Sequence, residues 1–367
     1  MGKQMTEIKK QNMMVDKPVI LTLLLTYNCN LKCPFCGQND IRRQKNFNES
    51  MQLSLEQVNK ILDDARVAGI RNVNLWGGEP LLHPQIFDII RAVKKRYMRC
   101  FMVTNGVLLE KYAQEIVDSR LDFLQISVDA PGEEHDLVRN HRGLFKKIEA
   151  GIKAVNEKKR IFPFISASTV LLPDNLDKLE AIADADFSIG FGTSFFQLLM
   201  SYPEDVIQAY KERLVKDYGF KYEDFRVIDN FKGEGLTLAE YEDGVAQCAA
   251  IKNKYGDKVT FPNAMNDVSY YKYYAQTSGP VPEDVVKGCW SINYKINIQP
   301  NGDVVTCPDF PDFVIGNVFE QSILEIWNSP VRKKFLNDFN NGNPLPICYR
   351  CCQLWDKEEH GSWGGVG

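Results

Sequence analysis

The chain has 367 residues, 44% of them hydrophobic and 25% charged, with a formal net charge of −4 at pH 7. This is enough chain for one large α/β domain and a smaller one, and the acidic balance argues against the basic footprint of a nucleic-acid-binding protein. No apolar stretch approaches the roughly twenty residues that span a bilayer, and ten cysteines without an export signal point to metal ligation in a reducing cytoplasm rather than to disulfides.

Residues 1–17 read as an N-terminal extension. From residue 18 to 200, short apolar runs alternate with amphipathic segments. Strands are predicted at Ile20–Leu25, Val73–Trp76, Cys100–Val103, Phe123–Val128, Ile165–Leu172 and Phe195–Met200. The clearest helix opens with Ser54 as N-cap and Gln57 completing a capping box. Val58, Ile61, Leu62 and Ala65 then recur at helical spacing, and Gly69 ends it. Strand–helix alternation implies a parallel sheet with crossover helices. Six such units fit a partial (β/α)6 TIM-like barrel better than a full eight-stranded one.

Residues 201–285 break the alternation and read as a helical linker or a wall of the substrate pocket, with helices at Glu204–Tyr218 and around Leu238–Tyr255. The tyrosines at 270, 271, 273 and 274 read as packing. Residues 286–356 read as a small α+β domain. It opens with a β-hairpin in which Ile296 and Ile298 face Val304 and Val305 across Pro300-Asn301-Gly302-Asp303, followed by Ile315–Val318 and a helix from Ser322 to Trp327. Residues 357–367 read as a flexible tail.

Seven cysteines fall into two groups. Cys29, Cys33 and Cys36 follow the first strand at C-x-x-x-C-x-x-C spacing, close enough to converge on one metal centre. Three ligands leave one iron of a four-iron cube open to a ligand that is not protein. A structural zinc site is the alternative, but zinc takes four ligands and no fourth Cys or His lies nearby in the sequence. The second group is Cys289, Cys307, Cys348 and Cys351, with Cys352 able to exchange with Cys351. Zinc is the alternative there too. Cys100 and Cys248 read as buried apolar thiols.

Other motifs follow the strands. Gly77-Gly78-Glu79-Pro80 follows the second, Thr104-Asn105-Gly106 the third, and Ser127 and Asp129 end the fourth. In barrel enzymes reactive groups gather at the C-terminal ends of the strands, so these motifs share one face. Glycines let backbone approach a ligand closely, and Glu79 can accept a hydrogen bond from an ammonium group.

The cysteine spacing, together with these motifs, resembles the radical S-adenosylmethionine (SAM) superfamily, over roughly residues 18–355. The stretch Gly316–Trp327 and the C-terminal cysteines resemble the SPASM-type auxiliary-cluster domain in its shortened, single-cluster "twitch" form. The resemblance implies a SAM-binding [4Fe–4S] cluster on Cys29, Cys33 and Cys36, and one auxiliary [4Fe–4S] cluster on Cys289, Cys307, Cys348 and Cys351. It implies SAM held by Phe35, Gly77, Gly78, Glu79, Pro80, Thr104, Ser127 and Asp129, with Arg139 or Arg142 on its carboxylate. Reductive cleavage of SAM to a 5′-deoxyadenosyl radical, hydrogen abstraction and a net oxidation of the substrate are expected, with the auxiliary cluster as electron acceptor. Asp309, two residues after Cys307, is the expected general base. A reductant such as flavodoxin or ferredoxin is expected to supply the electron. Substrates of two kinds fit, a small molecule or a peptide. Only about twenty residues precede the first cysteine strand, which tilts the expectation toward the small molecule. An electron carrier without substrate turnover is the rival from another class, and the glycine and ribose-type motifs are surplus to that role.

Overall fold

The computed structural model describes residues 16–38, 51–225, 227–276, 288–308, 310–351 and 354–355. Strand β1 (Ile20–Leu24) is followed by helix α1 (Leu55–Val67), β2 (Asn72–Trp76), α2 (Ile86–Lys95), β3 (Arg99–Thr104), α3 (Ala113–Asp118) and β4 (Phe123–Ser127). Next come α4 (Glu134–Val138), α5 (Leu144–Lys158), β5 (Phe164–Leu171), α6 (Leu179–Ile189) and β6 (Thr193–Leu198). The six strands pair in chain order and all in parallel, the arrangement of a partial (β/α)6 barrel.

Successive side chains of a strand point to opposite faces, and this sets the two faces of the sheet. Leu21, Leu23, Val73, Leu75, Leu124 and Ile126 pack outward into one core with the apolar stripes of the helices, each side chain buried at a gain of about 1.5–3 kcal/mol. Ser54 caps α1 with the reciprocal Gln57 bonds expected, and Gly69 follows its end with φ +87°. The opposite face is mixed. Asn72, Asn74, Phe101, Phe123, Gln125 and Ser166 line a cavity of about 1170 Å³ near the N-terminal ends of the strands.

Helices α7 (Glu204–Tyr218) and α8 (Leu238–Tyr255) follow at the boundaries the sequence predicts, and β7 (Val259–Thr260) adds in parallel to β6. Strand β8 (Gly288–Cys289) is followed by the hairpin β9 (Lys295–Ile298) and β10 (Asp303–Val305), then β11 (Val314–Asn317), helices α9 (Ile323–Trp327) and α10 (Pro330–Asn340), and β12 (Leu354–Trp355), which pairs with β8.

The hairpin does not stand apart. β9 pairs in parallel with β1, matching Ile20 to Lys295 and Leu23 to Ile298, so β9, β10 and β11 extend the barrel sheet to ten strands. Tyr27 donates its phenolic hydrogen to Gln299 Oε1 at 2.8 Å across the same junction. Among the described residues no helix is long and apolar enough to cross a membrane.

Candidate active site

β1 runs out at Leu24 and the chain turns into the loop that carries Cys29, Cys33 and Cys36. A short turn closes where the Cys36 amide donates to Cys33 O at 3.2 Å. Cys33 is buried and the other two are half-buried. Burial pushes the Cys33 thiol up to about 11, Arg139 pulls it down, and Cys36 and Cys29 push it further up, so the three thiols feel one another. Donors already point at the sulfurs. The Leu31 amide lies 3.4 Å from Cys29 Sγ, the Asn105 carboxamide Nδ2 3.6 Å from the same atom, and Arg139 Nη1 4.0 Å from Cys33 Sγ.

The loop after β2 lies directly on this one. Gly78 N–H donates to Thr26 O and Glu79 N–H to Asn28 O, both at 2.7 Å. A Cβ on Gly77 would sit 2.5 Å from Thr26 O, and one on Gly78 2.2 Å from Asn28 O. Both glycines are thus in close approach to the chain's own cysteine loop.

Glu79 is 1% exposed and works inside the protein. Its Oε1 accepts from Leu81 N–H at 3.0 Å and from the Thr104 hydroxyl at 2.7 Å, and its Oε2 accepts from Asn105 N–H at 2.7 Å. Burial raises its pKa while these bonds pull it down. Three of the roughly four acceptor positions of a carboxylate are thus filled, and the loops after β2 and β3 are tied together. Pro80 opens the buried short turn that follows.

Asp129 is fully buried. One oxygen accepts from Arg139 Nε at 2.5 Å and the other from Val170 N–H at 2.9 Å. Its backbone N–H donates to His135 Nδ1 at 3.0 Å. Ser127, at the end of β4, is half-buried. The two arginines separate. Arg139 turns inward over the Phe35 ring, 5.3 Å from its centroid, whereas Arg142 is exposed. Burial works against the Arg139 charge, but Asp129 and Cys33 outweigh it and hold the group above its ordinary pKa. His135 is buried against the same ion pair, and burial depresses its pKa to about 4.

Three of the C-terminal cysteines, Cys289, Cys307 and Cys348, pack against one hydrophobic cluster, which includes Tyr202, Tyr210, Phe310 and Phe313 among aliphatic residues such as Ile207 and Leu345. Burial, and then Cys289, raises the Cys348 thiol, and Cys351 N–H donates to Cys348 O at 3.3 Å. Asp309 and Cys352 lie outside the described residues. Cys100 and Cys248 are buried in the cores.

The donor chemistry fits iron–sulfur clusters, which are held by thiolates. Thiols with raised pKa release protons as metal binds. Among the described residues no three His, Cys, Asp or Glu are gathered tightly enough for a single metal ion, so the fit rests on donor type and on the N–H groups aimed at sulfur.

Asn105 is the site residue that sequence reasoning passed over. It sits inside the Thr-Asn-Gly motif, of which only Thr104 was singled out. Its Oδ1 accepts from Val107 N–H at 3.1 Å, which fixes the orientation of the amide, and its Nδ2 donates to Asn30 Oδ1 at 2.8 Å as well as to Cys29.

A family model described as the Radical SAM superfamily matches residues 23–185, and one described as SPASM, an iron-sulfur cluster-binding domain, matches residues 289–352. A probable GTP 3′,8-cyclase of Methanococcus maripaludis (strain C6) is 31% identical over 253 residues, 64% of this chain and 80% of that protein. Against three similar cyclases from other strains, the chain spans 55–60% of their length. The antilisterial bacteriocin subtilosin biosynthesis protein AlbA of Bacillus subtilis is 25% identical over 323 residues, 86% of this chain and 61% of AlbA. Among solved structures, Streptococcus suis SuiB bound to S-adenosylmethionine has a TM-score of 0.62 at 16% identity, covering 90% of this chain and 70% of that one. Native anSMEcpe with bound AdoMet has a TM-score of 0.64 at 15% identity, covering 94% and 92%.

Proposed function

The chain belongs to the radical SAM superfamily and carries a C-terminal SPASM iron–sulfur domain, and from that premise we propose that it oxidises a peptide or protein side chain. When bound, SAM and the [4Fe–4S] clusters supply one-electron chemistry, a carbon radical able to take a hydrogen atom and a place for the substrate's second electron. In the balance, the substrate gives up one hydrogen atom, one proton and one electron.

The rest of the reading concerns the protein's own groups. Cys29, Cys33 and Cys36 are the ligands of the first cluster. Phe35, Gly77 to Pro80, Thr104, Ser127 and Asp129 shape the SAM site, and Arg139, inside and beside Cys33, is favoured over the exposed Arg142 for its carboxylate. Asp309 is the base for the proton. Cys289, Cys307, Cys348 and Cys351 are the ligands of a fully protein-bound second cluster, which has no open iron for substrate and so is suited to electron uptake.

The observation that carries the oxidative reading is the second cysteine group, with Cys289, Cys307 and Cys348 on one hydrophobic cluster. A peptide substrate is supported by the likeness to AlbA, which runs through 86% of this chain, and by the solved complex of SuiB with its precursor peptide SuiA, of TM-score 0.57. A small-molecule substrate is the second reading, favoured by the similarity to GTP 3′,8-cyclases.

The test is iron and sulfide content after anaerobic reconstitution. Each cube holds about four irons. The parent is expected to bind about eight and Cys29→Ala/Cys33→Ala/Cys36→Ala about four. A parent with about four and a variant with almost none would remove the second cluster and the oxidative reading with it.

A further inference from the structure

The segment 227–231, in the stretch between the two cysteine groups in sequence, contacts residues that follow each group in the chain. At one end it meets the first cysteine loop. Asn230 Nδ2 donates to Gly37 O at 3.1 Å, and the Phe231 ring lies so close over Gly37 that a Cβ there would fall 2.4 Å from its Cζ. Gly37 directly follows Cys36. At the other end the segment meets the second group. Phe231 packs against Phe310 with ring centroids 5.1 Å apart, and Phe310 N–H donates to Cys307 O at 3.3 Å. The Asp312 Oδ2 accepts from both Val227 N–H at 3.1 Å and Ile228 N–H at 3.0 Å. The middle is braced by Tyr202, whose N–H donates to Phe231 O at 2.8 Å and whose ring meets Phe310 edge-on at 5.3 Å.

We infer that Phe231 is a positioning residue, the centre of a strut that holds the Cys36 loop and the Cys307 loop at a fixed separation. Its part in a reaction rests on the reading of both cysteine groups as cluster sites, but the strut itself is a property of the metal-free protein. The physical reason is packing. A phenyl ring wedged between a glycine with no room for a methyl group and a second phenyl ring transmits displacement, because close-packed interiors are stiff. Two backbone N–H bonds to the Asp312 side chain stop the segment from sliding away. Gly37 is thereby explained as a contact residue, since a larger residue would push the ring onto Phe310.

The test uses hydrogen exchange on the full-length metal-free protein. Gly37→Ala is expected to speed exchange about tenfold, the scale of coupling between touching residues, at the Val227, Ile228 and Tyr202 amides, which are bonded to Asp312 and to Phe231 O rather than to residue 37. Phe231→Leu in the Gly37→Ala background frees space for the new methyl group and is expected to restore protection. This rescue separates positioning from a general loss of fold, which a second substitution would worsen. In reconstituted protein the magnetic interaction between the two reduced clusters is expected to change in Gly37→Ala and return in the double variant. Disturbance confined to the Cys29–Cys36 loop, or additive damage in the double variant, overturns the strut. Absence of iron at both cysteine groups overturns the functional reading and leaves the exchange result to decide the strut.

Discussion

At the residue scale, the site is governed by a few buried polar groups tied to backbone and side-chain partners. Asn105 ties the loop after β3 to Asn30 and Cys29, while its backbone N–H holds Glu79. A donor aimed at a ligand sulfur favours the more negative, reduced cluster. With Cys29 as a cluster ligand, as proposed, Asn105→Asp keeps the shape, removes the donor and adds negative charge, so the cluster becomes harder to reduce. At fixed potential the ratio of reduced to oxidised cluster is expected to fall by up to about tenfold, equivalent to about 59 mV. An EPR-monitored redox titration reads this, and an unchanged midpoint argues against the role. His135 gives a pH dependence. Its folded pKa of about 4 lies below the ordinary 6.5 because burial disfavours the charged ring. Between these values the unfolded chain binds more protons, so stability falls as pH drops from about 6.5 toward 4, by about 3 kcal/mol in total. His135→Asn, which places an acceptor near the position of Nδ1 and does not titrate, is expected to flatten that part of the stability–pH curve measured by urea unfolding.

At the element scale, the strands matter for where they stop. β1, β2, β3 and β4 end at one face, and the loops that leave them are cross-braced, those after β1 and β2 by backbone bonds and those after β2 and β3 by the Glu79 side chain. The tightest brace joins the loops after β1 and β2. Gly78→Ala forces a methyl group against the Asn28 carbonyl, and neither loop can yield without breaking the bonds from Gly78 and Glu79 to Thr26 and Asn28. The expected cost is about 1–3 kcal/mol in the metal-free protein, read as a lower urea midpoint. An unaltered midpoint would mean that the two loops are not packed as described.

At the scale of the whole molecule, the chain returns to its start. β9, nearly three hundred residues after β1, pairs with it and covers an edge that would otherwise expose the backbone of an apolar strand. Exposed edges of that kind pair with other chains. A chain ended at residue 286 is therefore expected to aggregate, seen as large species in light scattering. A monomeric truncated protein with a cooperative melt would show that the hairpin is dispensable. The same closure bonds Tyr27, two residues before Cys29, to Gln299 in the C-terminal part.

Much of this was written in local sequence, because local rules set it. Six strands with their alternating faces, the Ser54 capping box, helices Glu204–Tyr218 and Leu238–Tyr255, and the hairpin around Asn301-Gly302 all depend on neighbours within a few residues. The cysteine spacing, too, is a local property, and it led directly to the superfamily. Tertiary structure decided what depends on distant partners. It set which glycine contacts were internal, because Gly77 and Gly78 are crowded by residues some fifty positions earlier in the chain. It turned Arg139 inward and left Arg142 exposed, although the two sit three positions apart. It brought Phe231 between Gly37 and Phe310, and it laid the C-terminal hairpin on β1. Pairing between strands far apart in sequence leaves no periodic mark in either one. A buried carboxylate such as Asp129 gives no sign in sequence of the arginine and the backbone amide that it meets.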